Sequence, residues 1–461
     1  MINHITMSAP ILFYSTNHKA EPVVFSEALL KGQAPDKGLY MPSEMPAIGL
    51  AELAAFKDLP YHEIAYRVSR KFLQGQIDDE SLQRIVKEAY TYPVPLEPVF
   101  DRKYVLRLDQ GPTASFKDFA ARMMSRLMQF YLAKEKRSLL ILTATSGDTG
   151  SAVANAFYGL DNVKVVILFP KAEVTDRQRK QMTTLGKNIH VLALDAKFDD
   201  CQALVKKAFS DHDLDYLSLS SANSINIGRL IPQTIYYFYS YARLCKEVGE
   251  EIVFSVPSGN FGDMMGGVLA MKMGLPVKKF VIATNENDEF PKFLNSGKYD
   301  KIEPSLNCIS SAMNVGHPSN LARLIALYGG IMDETGMIHK PADMELMRKE
   351  IFSVSMNDEQ TRQTIADAYK QHKLLLEPHG AVGWAGLLQY FKENPANAAN
   401  TLAVSLETAH PAKFPQEIMK ILSFDPDLPP ALAGLEDKAE VCLDISNEYE
   451  DFKTYLRRTF K

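Results

Sequence analysis

The stretch TASFKDFAARMM, residues 113–124, places a lysine where a lysine is costly. Lys117 stands between Phe116 and Phe119 at the start of a helical pattern. The N-terminal end of a helix carries positive potential, which disfavours a cation. Partial burial and that potential both lower the pKa of the amine, and a neutral amine is a nucleophile that forms a Schiff base with an aldehyde. The same residues also allow a plainer arrangement, with the alkyl stem on Phe116 and the ammonium in water.

Three other stretches could hold anions. In PSGNFGDMMGG, residues 257–267, Gly259 and Gly262 let successive N–H groups turn inward ahead of a helix, a cradle for phosphate. The stretch is neither a Walker loop nor a dinucleotide fingerprint. Asp263 is the awkward member, since a carboxylate repels phosphate, and it could instead cap the helix. TSGDTGSAVANAF, residues 145–157, has the same grammar of polar loop and helix. Thr145, Ser146 and Thr149 offer hydroxyls to a carboxylate there, or Asp148 and Thr149 cap the helix. In SSANSINIGRLIPQ, Asn223, Asn226 and Arg229 recur every third residue, and at helical spacing they share one face. Two amides and a guanidinium that converge make a strong anion site. An aldehyde cofactor with its own phosphate, pyridoxal phosphate, would use both Lys117 and the glycine loop at 259–262.

The elements that must position these groups alternate. Residues 138–145, 163–170, 188–194, 251–257, 278–284 and the run from 401 read as buried strands, with helical stretches between them. That alternation argues for parallel sheets covered on both faces, with ligands at the carboxyl ends of the strands. TSGDTG, PSGNFG and ETAHP follow three such ends. Residues 1–98 read as a mainly helical extension, with APDKGLYMP as a turn, and 333–373 read as mainly helical. His379 and His410 are expected in loops near the site, in supporting roles.

Composition excludes several classes. The chain has 461 residues, 46% apolar and 23% charged, and a formal net charge of −5. That gives no electrostatic case for nucleic acid or an anionic membrane. No membrane-length apolar run and no signal-peptide pattern are found. Four scattered cysteines suggest neither metal pair nor disulfide framework, which suits a cytoplasmic protein. No G-x-S-x-G elbow and no HExxH are present, so a hydrolase nucleophile and a catalytic metal are unsupported.

Taken in order, GPTASFKDFAAR, TSGDTGSA, NSINIGR, PSGNFGD and ETAHPAKFP closely resemble the long form of the threonine synthase family, over residues 15–424. The resemblance implies a fold-type II pyridoxal-phosphate enzyme: two parallel-sheet α/β domains with the cofactor between them, plus the N-terminal extension. The domains expected are 99–135 with 226–461 as the large one and 136–225 as the small one. By the same resemblance Lys117 is the lysine that joins the cofactor aldehyde. Gly259, Asn260, Phe261, Gly262 and Asp263 form the cofactor phosphate loop, Thr408 lies by the pyridine nitrogen, and Asp148 lies by the ring hydroxyl. Ser146 and Thr149 receive the substrate carboxylate, and Asn223, Asn226 and Arg229 clamp its phosphate. The implied reaction converts O-phospho-L-homoserine and water to L-threonine and phosphate. Its rivals are a related lyase releasing a 2-keto acid and a silent cofactor-binding relative. Monomer and homodimer both remain open, and the only partner implied is the small-molecule substrate.

Overall fold

The computed structural model describes residues 9–396 and 398–460. Its larger sheet runs, edge to edge, Ile351–Ser355, Val277–Thr284, Ile252–Pro257, Leu402–Glu407, Lys103–Arg107 and Leu96–Phe100. All neighbours are parallel except the last pair. The smaller sheet, parallel throughout, runs Leu443–Ile445, Ile189–Leu194, Val163–Pro170, Leu139–Ala144 and Leu219–Ser221.

The strands are near-continuous apolar runs because both faces are covered. Alternate residues enter different cores. Leu140, Leu142, Val166 and Leu168 pack under one face of the smaller sheet, and Ile141, Val165 and Ile167 under the other. In the larger sheet Val105, Val253, Val281 and Ala403 face one way, while Phe254, Val256, Phe280 and Val404 face the other. Helices cover these faces with apolar residues at helical spacing. Tyr61–Leu73, for example, buries Tyr61, Ile64, Ala65, Val68 and Phe72.

Several segments depart from expectation. Among the described residues the N-terminal part holds four helices, but Phe13–Ser15 and Tyr40–Pro42 pair as a short antiparallel ribbon, so the expected turn APDKGLYMP ends in a strand. Within 333–373, Ile351–Ser355 is the edge strand of the larger sheet. The tail does not belong with the large domain as expected. Leu443–Ile445 extends the smaller sheet, and Phe452 and Leu456 of the helix Tyr449–Thr459 enter its core. Among the described residues no helix is long and apolar enough to cross a membrane.

Candidate active site

Lys117 is the first residue of the helix Lys117–Glu135. The chain reaching it is held tightly. Ala114 is fully buried with φ of 55°, a left-handed conformation that strains any residue with a Cβ. Asp118 accepts hydrogen bonds from the Thr113 N–H and hydroxyl at 2.8 and 2.6 Å. The Phe116 N–H donates to the Thr408 carbonyl, and the His410 N–H to that of Ala114. ETAHP is thus laced to the lysine segment through the backbone.

The Lys117 side chain is 13% exposed, with Nζ 3.9 Å from Asp148 Oδ2 and 4.6 Å from the centre of the Phe116 ring. Burial pushes its pKa down, and Arg229 and Lys413 add to the effect, against Asp148 and Glu377. The amine borders a cavity rather than bulk solvent. Thr145, Ser146, Asp148, Asn223, Arg229, the loop at 257–263 and Thr408 share that cavity with it.

The glycine loop bridges the strand Ile252–Pro257 and the helix Gly262–Lys272. Phe261 takes φ of 62°, and its ring meets Phe290 edge-on at 4.8 Å. Asn260 is pinned from the far side: its side-chain oxygen accepts from Ser319 and its carbonyl from Asn320. A Cβ on Gly259 would lie 2.9 Å from Met313 Cα and 3.0 Å from the Ala312 carbonyl. The first N–H groups of the helix beyond have no acceptor within it, so the loop presents donors to the cavity.

Asp148 opens the helix Asp148–Phe157 but does not cap it. Its Oδ1 receives Lys413 Nζ at 2.6 Å and Gln178 Nε2 at 2.8 Å. Lys413, with Lys117, holds the carboxyl well below the usual carboxylate range despite burial. A side chain on Gly147, at φ of 129°, would strike Gln178 at 2.6 Å. Ser146 and Thr149 line the cavity half-buried.

Arg229 is 2% exposed, and the attraction of Asp118 does not offset its burial. Nη1 donates to the Ala222 carbonyl at 2.7 Å, Nε has no partner, and burial lowers the pKa to about 10. Such a guanidinium is costly until an anion arrives. Asn223 borders the same cavity, and its amide donates to the Ala144 carbonyl at 3.0 Å. Asn226 does not join them. The helix begins only at Ile227, so the three residues do not share a helical face. The Asn226 amide donates to the Leu29 and Ser221 carbonyls, and its oxygen accepts from the Gly228 N–H. It caps a helix and ties in the N-terminal part. Arg323 braces the same turn, donating to the carbonyls of Tyr40, Ser224 and Ile225.

Sequence reasoning missed three lining or supporting groups. Lys413, fully buried, lay unremarked inside ETAHPAKFP. Gln178 holds Asp148, and Gln233 is a buried cavity residue whose Oε1 has no partner. His379 lies in the first turn of the helix Pro378–Glu393, not in a loop. Its Nε2 accepts from the Ala312 N–H at 3.0 Å, so its Nδ1 carries the proton toward Glu377, 2.5 Å away. Thr408 is 3.5 Å from the other Glu377 oxygen. His410 caps the turn Pro411–Lys413 in a loop, as expected.

A nucleophilic amine, a donor loop and an unpaired guanidinium in one cavity suit a dianionic ligand bearing a carbonyl. Comparisons with known proteins agree. A pyridoxal-phosphate dependent enzyme model matches residues 100–405, flanked by threonine synthase N-terminal and C-terminal models over 12–90 and 380–456. The chain is 38% identical to the threonine synthase of Haemophilus influenzae over 97% of its length and 99% of that protein. It is 39% identical to that of Escherichia coli, covering 95% and 97%. Among solved structures, a pyridoxal-phosphate-bound threonine synthase from Brucella melitensis superposes with a TM-score of 0.89 at 35% identity, over 98% of this chain and 100% of that one. The yeast enzyme gives 0.87 at 30%, over 97% and 98%. The chain belongs to the threonine synthase family of pyridoxal-phosphate-dependent enzymes.

Proposed function

We propose that the chain converts O-phospho-L-homoserine and water to L-threonine and phosphate. The observation that carries this reading is that two separate groups suited to anions line one cavity. The donor loop at 259–262 is one, and Arg229, buried with an unpartnered Nε, is the other. A dehydratase acting on an unphosphorylated amino acid needs only the first.

The residues present fit pyridoxal phosphate. Lys117 supplies an amine with a lowered pKa, and Gly259 leaves the space that a Cβ would fill. Gly259, Asn260, Phe261, Gly262 and Asp263 would hold the phosphate. Thr408 would offer the ring nitrogen a neutral hydroxyl, and Asp148 would stand by the ring hydroxyl. When bound, the cofactor supplies an aldehyde and a ring that draws electron density from the substrate α-carbon.

The chain's own groups do the rest. Ser146, Thr149 and the N-terminus of the helix Asp148–Phe157 receive the substrate carboxylate. Lys117, its pKa lowered by burial, takes a proton from Cα and moves protons at Cβ. Arg229 and Asn223 stabilise the charge that develops on the departing phosphate. Lys413 and Gln178 keep the Asp148 carboxylate fixed beside the reacting amine. The cavity walls limit competing hydrolysis before one water adds at Cβ.

The test is to incubate the purified protein with O-phospho-L-homoserine and assay phosphate and threonine together. Equal amounts of both are expected. Phosphate with 2-oxobutanoate and no threonine would reject the synthase in favour of a lyase.

A further inference from the structure

Asp263 is the one carboxyl among the donors of the glycine loop, and the structure gives it a peculiar setting. It is 4% exposed and borders the cavity at the first turn of the helix Gly262–Lys272. Its Oδ1 accepts from the Tyr236 hydroxyl at 2.5 Å and the Tyr237 hydroxyl at 2.9 Å, the latter shared with the Asp263 carbonyl at 3.1 Å. Its Oδ2 is buried and has no partner. Both phenol protons are spent on one oxygen, so a proton on this carboxyl belongs on Oδ2.

An ionised carboxylate cannot share a water-poor cradle with a phosphate dianion. Like charges a few ångströms apart in such a site repel strongly, and one of them takes up a proton. A protonated carboxyl, by contrast, is a hydrogen-bond donor. Resting on the cofactor reading above, we propose that Asp263 takes up one proton when the cofactor phosphate binds, and donates it from Oδ2 to a phosphate oxygen.

The groups acting on Asp263 come from three directions. Tyr236 and Tyr237, on the helix Ile235–Leu244, favour the ionised form through their hydrogen bonds. Lys117, on the helix Lys117–Glu135, favours it through its charge. Burial outweighs all three and pushes the carboxyl up to about 6. In the protein without cofactor the group is therefore mostly ionised at neutral pH. The dianion raises it further and draws the proton in. A site that gains a proton on binding holds its ligand fully below the unliganded pKa. It loses affinity as pH rises from there toward the liganded pKa.

The experiment uses the full chain stripped of cofactor and titrated with pyridoxine 5′-phosphate, which has the ring and phosphate but no aldehyde. Binding is followed by calorimetry from about pH 6 to about pH 8.5, in the natural protein and in Asp263→Asn. The natural protein should weaken relative to Asp263→Asn by up to about tenfold per pH unit within this window. The ionisation of the ligand phosphate is common to both and cancels. Tyr237→Phe removes a donor to Oδ1, so it should move the transition to higher pH; it also serves if Asp263→Asn does not fold. Pyridoxine without phosphate should show no such dependence. A pH-independent ratio, or an unmoved transition in Tyr237→Phe, overturns the inference while leaving the cofactor reading intact. Absence of binding at every pH, in a folded protein, overturns both.

Discussion

Lys413 Nζ lies 2.6 Å from Asp148 Oδ1, and neither side chain is more than 3% exposed. The other oxygen of the same carboxylate is 3.9 Å from Lys117 Nζ. One buried anion thus serves two lysines unequally. Lys413 takes the short contact and is anchored besides by the Thr113 carbonyl at 2.9 Å. Lys117 is left the long contact, too weak to offset its burial. The pair therefore keeps the reacting amine depressed while holding a carboxylate at its side.

Removing the anchoring lysine tests this division. Lys413→Met should raise the Lys117 pKa, because a repelling cation is gone and Asp148 turns its full attraction on the remaining amine. The rate at which an amine-selective reagent labels Lys117 in the cofactor-free protein should then rise at higher pH than in the natural chain. Unpairing a buried carboxylate should also cost about 3–5 kcal/mol of stability, read by denaturant unfolding. An unmoved labelling profile would show that Lys413 is only a structural strut.

Arg229→Met should separate substrate from cofactor, and activity from stability. Loss of a donor aimed at developing charge should lower kcat/KM by about 10²–10³, while cofactor affinity stays within about threefold. The unliganded protein should melt at the same temperature or higher, since an uncompensated buried cation has been removed. Equal losses of cofactor and substrate binding would move Arg229 into the cofactor site.

What the sequence made legible was local. TSGDTG, PSGNFG and ETAHP follow strand ends because apolar runs bounded by small polar residues carry their own signal, and Lys117 stands out because its neighbours contradict its charge. What stayed hidden depends on partners far away in the chain. Asn226 looked like a clamp residue until its amide met the Leu29 carbonyl, 197 residues distant. Nothing local marks Lys413; its role rests on Asp148, 265 residues earlier in the chain, lying 2.6 Å away. The strand Ile351–Ser355 is hidden inside a stretch, 333–373, that reads as mainly helical, because five half-apolar residues between two helices have no clear period. Leu443–Ile445 is largely exposed and pairs only at an edge, so no hydrophobic pattern announces it.

Gly259 offers a test of the cradle that does not depend on charge. Its φ is not positive, so alanine would be unstrained in backbone terms, and only space forbids it. The obstacle is main chain, Met313 Cα at 2.9 Å and the Ala312 carbonyl at 3.0 Å, which cannot rotate away as a side chain would. Retreat of that loop would break the bond from the Ala312 N–H to His379 Nε2. Gly259→Ala should therefore cost about 1–3 kcal/mol and weaken cofactor binding at least about tenfold. Gly49→Ala, with nothing within 4 Å of the added carbon, should leave cofactor binding unchanged. In the background of His379→Ala, where the facing loop is untethered, the added methyl should cost less than in the natural chain. A double-mutant cycle on unfolding free energy measures that coupling, and strict additivity would show that His379 does not hold the wall of the cradle in place.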